Sequence, residues 1–386
     1  MKNILFVSHS AELNGAELWL LETLRGLDRT KYAARLVVPR PGPLGDSCRG
    51  LGLEVRVISM KWSITEKSRI WRQPFAGFWN IMSVKRIARL IGRNRIDLVF
   101  TNSAAIFSGA KAARRMGIPH VWAVHEVLGG DSPFLYSLYG RRALARFILA
   151  SSAKVIVNSK LTASAFPDSG KIVLVPNGLE VRACDAGRRE AIRQELGLER
   201  GDFAAGIVGK LYEGKGQREA VQAAARLAPR HPRFKLFVVG EVRDEAYARG
   251  LREFVRANGL ERQIRFLGYR PDLADLLMLL NVVVVASVVE SFGRAALEGM
   301  AAGVPVLAVR AGGLAEIIRP GENGFLLDSR EPEEIARGIE AILQDPTRAA
   351  AAVEGGYRTI REEYSLERQR REMDRVLTGV LGTATP

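Results

Sequence analysis

The sequence predicts an α/β protein of two doubly wound domains, each a parallel sheet with helices on both faces. Three observations predict it. Short apolar runs alternate with amphipathic helical stretches along the chain; 386 residues are long for one hydrophobic core; and a turn signal, Val175-Pro-Asn-Gly-Leu-Glu180, separates two such alternations. In the first half, strands are expected at Ile4–Ser8, Arg35–Pro39, Glu54–Ser59, Asp97–Thr101, His120–Val124 and Lys154–Asn158. A helix over Asn80–Arg93 is expected to turn Ile81, Val84, Ala88 and Ile91 to one face, with Lys85, Arg86, Arg89 and Arg93 outside it. The second half opens with a polar helix, Ala183–Leu198. Its strands are expected at Ala204–Val208, Lys235–Val239, Gln263–Leu267, Asn281–Ala286 and Pro305–Val309, with helices at Arg218–Leu227 and Arg294–Ala302. The domains are therefore read as residues 1–176 and 177–365, with sites expected in a cleft between them, where strands end.

Hydrophobic residues make up 47% of the chain, which excludes disorder. No apolar run approaches the ~20 residues that span a bilayer. The opening Met-Lys-Asn-Ile-Leu-Phe-Val-Ser-His suits a first strand and is too short for a signal peptide. Cys48 and Cys184 are far apart and lack metal-ligand spacing, so a reducing, cytoplasmic setting is expected. Residues 1–176 hold 26 Lys and Arg against 11 Asp and Glu, whereas residues 177–386 hold 31 of each, so the whole net charge of +15 belongs to the front half. A basic front domain implies an anionic partner: a membrane surface, a phosphate-bearing acceptor or a nucleic acid. No helix-turn-helix, zinc-finger or aromatic RNA-binding signature is present, so nucleic acid is not expected.

The most informative motif is Glu290-Ser-Phe-Gly-Arg-Ala-Ala-Leu-Glu298. A buried strand precedes it and a helix follows. Ser291, Phe292 and Gly293 therefore lie where free backbone N–H groups and the positive end of the helix dipole can hold a diphosphate. Glu290 and Glu298 then flank the anion with hydrogen-bond acceptors, as a hexose on one side and a ribose on the other require; the pattern points to a sugar nucleotide. Gly209 lets the chain turn tightly after Ala204–Val208. Lys210 follows at the sheet edge and Lys215 stands in Gly214-Lys-Gly216, so two ammonium groups can neutralise a diphosphate without metal. No Asp-x-Asp occurs, and His9, His120, His125 and His231 do not cluster with ligand spacing; no metal or other cofactor is expected.

These residues resemble retaining glycosyltransferase family 4, the group 1 glycosyltransferases of the GT-B fold, in which two Rossmann-like domains face a cleft. The resemblance rests on Val208-Gly209-Lys210, Lys215-Gly216, Gly240, Phe266-Leu267-Gly268, Ser287-x-x-Glu290-x-Phe-Gly293, Leu297-Glu298-Gly-Met-Ala-Ala-Gly303-Val-Pro and Gly312-Gly313-x-x-Glu316, with looser matches at Asn14-Gly15-Ala16-Glu17, His125-Glu126 and Pro176-Asn177-Gly178. It implies that Gly15, Gly209, Lys210, Lys215, Gly240, Glu290, Ser291, Phe292, Gly293 and Glu298 bind the donor, and that His125 stands near the reacting carbon beside Glu290, Lys210 and Lys215. It also implies a last helix, about residues 366–386, that crosses back to the first domain, and a UDP- or GDP-sugar donor. Asn14 stands where the family usually has glycine, and Lys210 where it more often has arginine. The activity implied is transfer of a hexose-type sugar to a lipid-linked or oligosaccharide acceptor, as in cell-surface polysaccharide or glycolipid biosynthesis. A sugar-nucleotide epimerase or a non-catalytic glycan-binding protein of the same fold are the alternatives.

Aromatics interleave with cations in Lys61-Trp62 through Lys67, Arg69, Trp71, Arg72, Phe75, Phe78 and Trp79, and again in Phe134 to Phe147. That composition suits an anionic membrane interface, and places the protein as peripheral on the inner membrane face.

Overall fold

The computed structural model describes residues 1–64, 73–128, 140–181 and 185–382. They form two compact units, Met1–Gly178 with Leu366–Pro386 and Leu179–Ser365. In the first unit the chain runs β1 Lys2–Ser8, α1 Gly15–Arg25, β2 Tyr32–Val38, α2 Pro43–Gly50, β3 Glu54–Val57, α3 Gln73–Arg93, β4 Leu98–Asn102, α4 Ser108–Met116, β5 His120–Val124, α5 Gly140–Ala150, β6 Lys154–Val157, α6 Lys160–Ala163 and β7 Ile172–Leu174. All seven strands are parallel, in the order β3-β2-β1-β4-β5-β6-β7. Ile4, Leu5, Phe6 and Val7 of β1 are all fully buried. Covering both faces of a parallel sheet is what makes such a strand read as a continuous apolar run.

The second unit contains α7 Ala186–Glu195, β8 Phe203–Val208, α8 Gln217–Leu227, β9 Phe234–Val239, α9 Glu245–Ala257, β10 Ile264–Gly268, α10 Leu273–Leu277, β11 Val282–Val285, α11 Arg294–Ala301, β12 Val306–Val309, α12 Leu314–Ile317, β13 Phe325–Leu327, α13 Pro332–Gln344 and α14 Pro346–Glu362. Its six strands are parallel, ordered β10-β9-β8-β11-β12-β13. Two core layers sandwich the sheet. One gathers Phe292, Leu297 and Met300 under α11, and the other Val221, Leu227 and Ile339 under α8 and α13.

The last helix, α15 Leu366–Leu381, belongs to the first unit. Gln369 fastens it: its amide donates to Trp19 O at 3.2 Å and Thr23 Oγ1 at 2.9 Å, and its carbonyl accepts from Gly178 N at 2.6 Å. Lys31 pairs with Asp374 at 3.2 Å and the Tyr32 hydroxyl meets Thr378 at 3.1 Å.

Three readings of the sequence need correction. The edge strands β7 and β13 were not expected; each is three residues of half-buried chain, too short and too exposed to stand out as an apolar run. Helix α3 begins at Gln73, a full two turns before Asn80, so Phe75, Phe78 and Trp79 ride on a helix. Ile81 is 49% exposed; the inward face is Ser83, Ile87, Ala88 and Ile91, because the helix carries a second apolar stripe that points outward. Lys67, Arg69, Trp71, Arg72 and Cys184, and the 134–139 part of the second aromatic segment, lie outside the described residues.

Candidate active site

In each sheet the strand order reverses at one point, between β1 and β4 in the first unit and between β8 and β11 in the second. Loops leaving the carboxyl ends there diverge to opposite faces, which opens a crevice. Most of the residues singled out in the sequence fall on these loops.

In the second unit the crevice loops are packed backbone to backbone. Gly216, at φ +77°, passes so close to the end of β11 that an added Cβ would sit 2.1 Å from Ala286 O. Gly240, at φ +149°, would place its Cβ 2.0 Å from Gly209 O, so its glycine is needed where the exits of β8 and β9 meet. Gly209 itself shares the φ of +149°. Gly313 N donates to Glu290 O at 2.8 Å, tying the loop after β12 to the loop after β11.

This packing brings together residues 75 positions apart. Lys215 Nζ lies 2.6 Å from Glu290 Oε2, and Ser287 Oγ donates to the same oxygen at 3.1 Å. Their side chains keep 23% and 16% of their surface, so the pair is neither sealed nor freely solvated. Burial works against the Lys215 charge, but the field of Glu290 and its hydrogen bond outweigh it and raise the pKa, so the lysine stays charged at neutral pH. Lys215 and Glu290 are thus one unit rather than separate phosphate and sugar contacts. An ammonium has three N–H donors, and one pairs with Glu290.

Glu298, one turn into α11, accepts from Arg294 Nε at 2.8 Å. Arg294 was not singled out in the sequence, although it is the first residue of the helix; its Nη1 is buried without a hydrogen-bond partner and so can donate to a ligand. Gln217 was also missed. It is fully buried and its amide donates to Lys210 O at 2.9 Å, holding the loop that carries both lysines. Lys210 is not gathered into the Lys215 pair: it faces Glu241 across 3.3 Å, the lysine half-buried and the glutamate exposed. Phe292 puts its ring in the core, edge-on to Tyr364 at 5.8 Å, so only its backbone faces the turn with Ser291 and Gly293.

In the first unit Gly15 opens α1, exposed, and His125 follows β5, buried. His125 Nε2 donates to Asn102 Oδ1 at 2.8 Å, and Asn102 Nδ2 donates to Ala16 O at 3.1 Å, so Asn102 links the histidine to the first turn of α1. The bond fixes the tautomer, leaving Nδ1 as an acceptor that meets no partner. Trp19 stands edge-on at 4.9 Å. Glu126 clamps the neighbouring turn, accepting from Ser103 Oγ, from Ala104 N at 3.1 Å and from His125 N at 3.1 Å. Ser103 has φ +89°, a strained conformation for a residue with a side chain, and these bonds hold it there. Glu17 is fully buried, 3.1 Å from His9 Nδ1; burial pushes its pKa up against the pull of His9.

Burial also lowers the pKa of His120 to about 3 and of His125 to about 4, from 6.5. Both are neutral in the folded protein near pH 7. Between those values and 6.5 the unfolded chain binds more protons than the fold, so stability is lost as pH falls through that window. Each histidine contributes a loss of about 2 kcal/mol between pH 7 and pH 5. His125→Asn is therefore expected to show a correspondingly smaller loss than the wild type in denaturant titrations at the two pH values; equal losses would contradict a neutral His125.

Two family models match the chain: "Glycosyl transferase 4-like domain" over residues 14–178 and "Glycosyl transferases group 1" over residues 188–359. The chain belongs to the group 1 glycosyltransferases. Similar glycosyltransferases include a D-inositol 3-phosphate glycosyltransferase of Rhodococcus opacus, 30% identical over 262 residues, 63% of this chain and 58% of that one. A lipopolysaccharide core mannosyltransferase of Rhizobium leguminosarum is 34% identical over 184 residues, 47% of this chain and 52% of that one. The chain thus spans a little over half the length of these curated relatives. The fold is that of GT-B glycosyltransferases: the Anabaena HepE protein, solved with UDP-glucose, superposes with a TM-score of 0.84 at 24% identity, covering 98% of this chain and 100% of that one.

Proposed function

We propose that this glycosyltransferase moves a hexose-type sugar from a UDP- or GDP-sugar to an acceptor hydroxyl, retaining the anomeric configuration and using no metal. The observation that carries the reading is the Lys215–Glu290 pair at the β8–β11 reversal, beside the amino end of α11. In this reading the diphosphate takes the two donors of Lys215 not used by Glu290, the backbone N–H groups of Ser291, Phe292 and Gly293, and Arg294 Nη1. Lys210 adds a mobile charge, since a pair with the exposed Glu241 exchanges at little cost. Gly209 and Gly240 let backbone approach the ligand, Glu298 receives the ribose hydroxyls, and Glu290 receives a sugar hydroxyl on its second oxygen. His125 Nδ1 accepts from a hydroxyl near the reacting carbon, and Gly15 admits the acceptor or phosphate close to α1.

The bond from the anomeric carbon to the diphosphate oxygen breaks, the bond to the acceptor oxygen forms on the same face, and the acceptor proton passes to the departing diphosphate. The acceptor is a lipid-linked or oligosaccharide precursor of a surface polysaccharide or glycolipid, met by the basic first unit at the cytoplasmic membrane face. The names of the relatives, one of them a lipopolysaccharide core enzyme, support that direction. Among the described residues no helix is long and apolar enough to cross a membrane, so the proposed contact is peripheral.

Proton NMR of the products tests the reaction. A new glycoside with the anomeric configuration of the donor, formed only when acceptor is present, is the expected result. An inverted product, or a donor isomerised without transfer, would overturn it.

A further inference from the structure

Helices α3 and α4 pack side by side on the first unit, and together they show a basic face beside an exposed aromatic one. On α3, Phe75, Phe78, Trp79 and Met82 recur at helical spacing on one outward stripe, with exposures of 67, 76, 65 and 48%. Arg86, Arg89 and Arg93 continue the same stripe, so the helix passes lengthwise from aromatic to cationic. Between residues 73 and 116 there are eight Lys and Arg against one acid, Asp97. Asp97 is engaged elsewhere, accepting from Asn3 N at 2.7 Å and lying 3.9 Å from Lys2. Among the described residues no carboxylate pairs with Lys85, Lys111 or Arg115. These three basic residues line a groove of about 150 Å³ between the helices together with Gly77, Asn80, Ile81 and Val84, and the Lys111 ammonium also lies 5.9 Å from the centre of the Phe107 ring. Asn80 spends both ends of its amide on Lys61, at 2.9 and 2.8 Å, and so fixes the neighbouring Trp62, itself 45% exposed.

We propose that this groove seats the phosphate of an anionic membrane lipid headgroup while Phe75, Phe78 and Trp79 enter the interface beside it. The inference rests on the reading that the acceptor is met at a membrane, and names the surface that makes the contact. Three basic side chains lining one groove, with no carboxylate pairing them among the described residues, fit a phosphate. A free phosphate would leave the aromatic stripe in water, whereas a lipid surface covers both features at once.

Sedimentation with phosphatidylcholine vesicles, with and without phosphatidylglycerol, tests it. The wild type should bind only the anionic vesicles, and less as salt rises. Lys85→Ser/Lys111→Ser/Arg115→Ser should lower partitioning by about 100-fold, since each such charge near an anionic surface contributes about 1 kcal/mol. The matched charge loss Arg249→Ser/Arg252→Ser/Arg256→Ser on the exposed side of α9, in the second unit, should lower it by less than about 3-fold. Phe78→Ser/Trp79→Ser should abolish the part of binding that survives high salt. Indifference to lipid charge, equal losses from the two charge triples, or retention by an oligonucleotide in place of vesicles would each overturn the assignment. Thermal stabilisation of the groove variant by UDP-sugars is measured alongside. If it persists while vesicle binding fails in every variant, the membrane site is wrong and the transfer reading stands.

Discussion

Replacing Glu290 with Ala is expected to cut kcat/KM for sugar transfer by about 10- to 100-fold, the loss of a charge-assisted hydrogen bond worth roughly 1.5–3 kcal/mol. The structure adds a second consequence. With Glu290 gone, the burial that works against the Lys215 charge is no longer offset by its partner at 2.6 Å, so the variant should also melt at a lower temperature. Glu298→Ala should act on donor affinity, because Glu298 lies beyond the Glu290 loop, one turn into α11, and is held by Arg294. A double-mutant cycle over Lys215 and Glu290 separates the pair from its parts: a coupling of about 1–3 kcal/mol is expected. Wild-type kinetics in a folded Glu290→Ala/Glu298→Ala double variant would sink the site.

Which parts of this were legible in the sequence follows from where each residue sits. A strand buried on both faces announces itself, as Val282–Val285 does, and so does a glycine that must turn, as Gly209 does. Edge strands such as Phe325–Leu327 do not, because half their surface is open and their composition is that of a loop. The start of α3 was hidden for a related reason: Phe75, Phe78 and Trp79 face solvent, which breaks the single-stripe pattern by which an amphipathic helix is read. At the site, the residue types were legible and their pairings were not. Lys215 and Glu290 meet only because β8 and β11 are neighbours in the sheet, and Lys210, five residues from Lys215, points instead to Glu241. Glu17 reads as an ordinary acid in the first turn of a helix, and only the fold shows it fully buried against His9.

Lys215→Ala should be the most damaging single change, lowering kcat/KM by more than about 100-fold, because one ammonium serves both Glu290 and the departing diphosphate. Lys215→Arg should recover little: the planar fork does not reproduce a point charge that must meet Glu290 and a phosphate in different directions. Lys210→Ala should cost about 10-fold or less, its partner Glu241 being exposed. Chelation of divalent ions should cost less than about threefold in the same assay. Among the described residues no group of three or more His, Cys, Asp or Glu side chains is placed to hold a metal ion. Complete loss of activity in EDTA, restored by a divalent ion, would show that the lysines do not carry the leaving-group charge.

The claim on which the rest depends is that the second unit holds a nucleoside diphosphate sugar at the β8–β11 reversal. Melting temperatures of the wild type and of Lys215→Ala against UDP-, GDP- and ADP-sugars test it directly, because a ligand bound only by the fold raises the melting temperature by mass action. One nucleotide class should stabilise the wild type by about 2.7 kcal/mol at a hundredfold excess over its Kd, and Lys215→Ala should lose most of that gain. Stabilisation by none of the sugar nucleotides, or equal stabilisation of the lysine variant, would contradict the account.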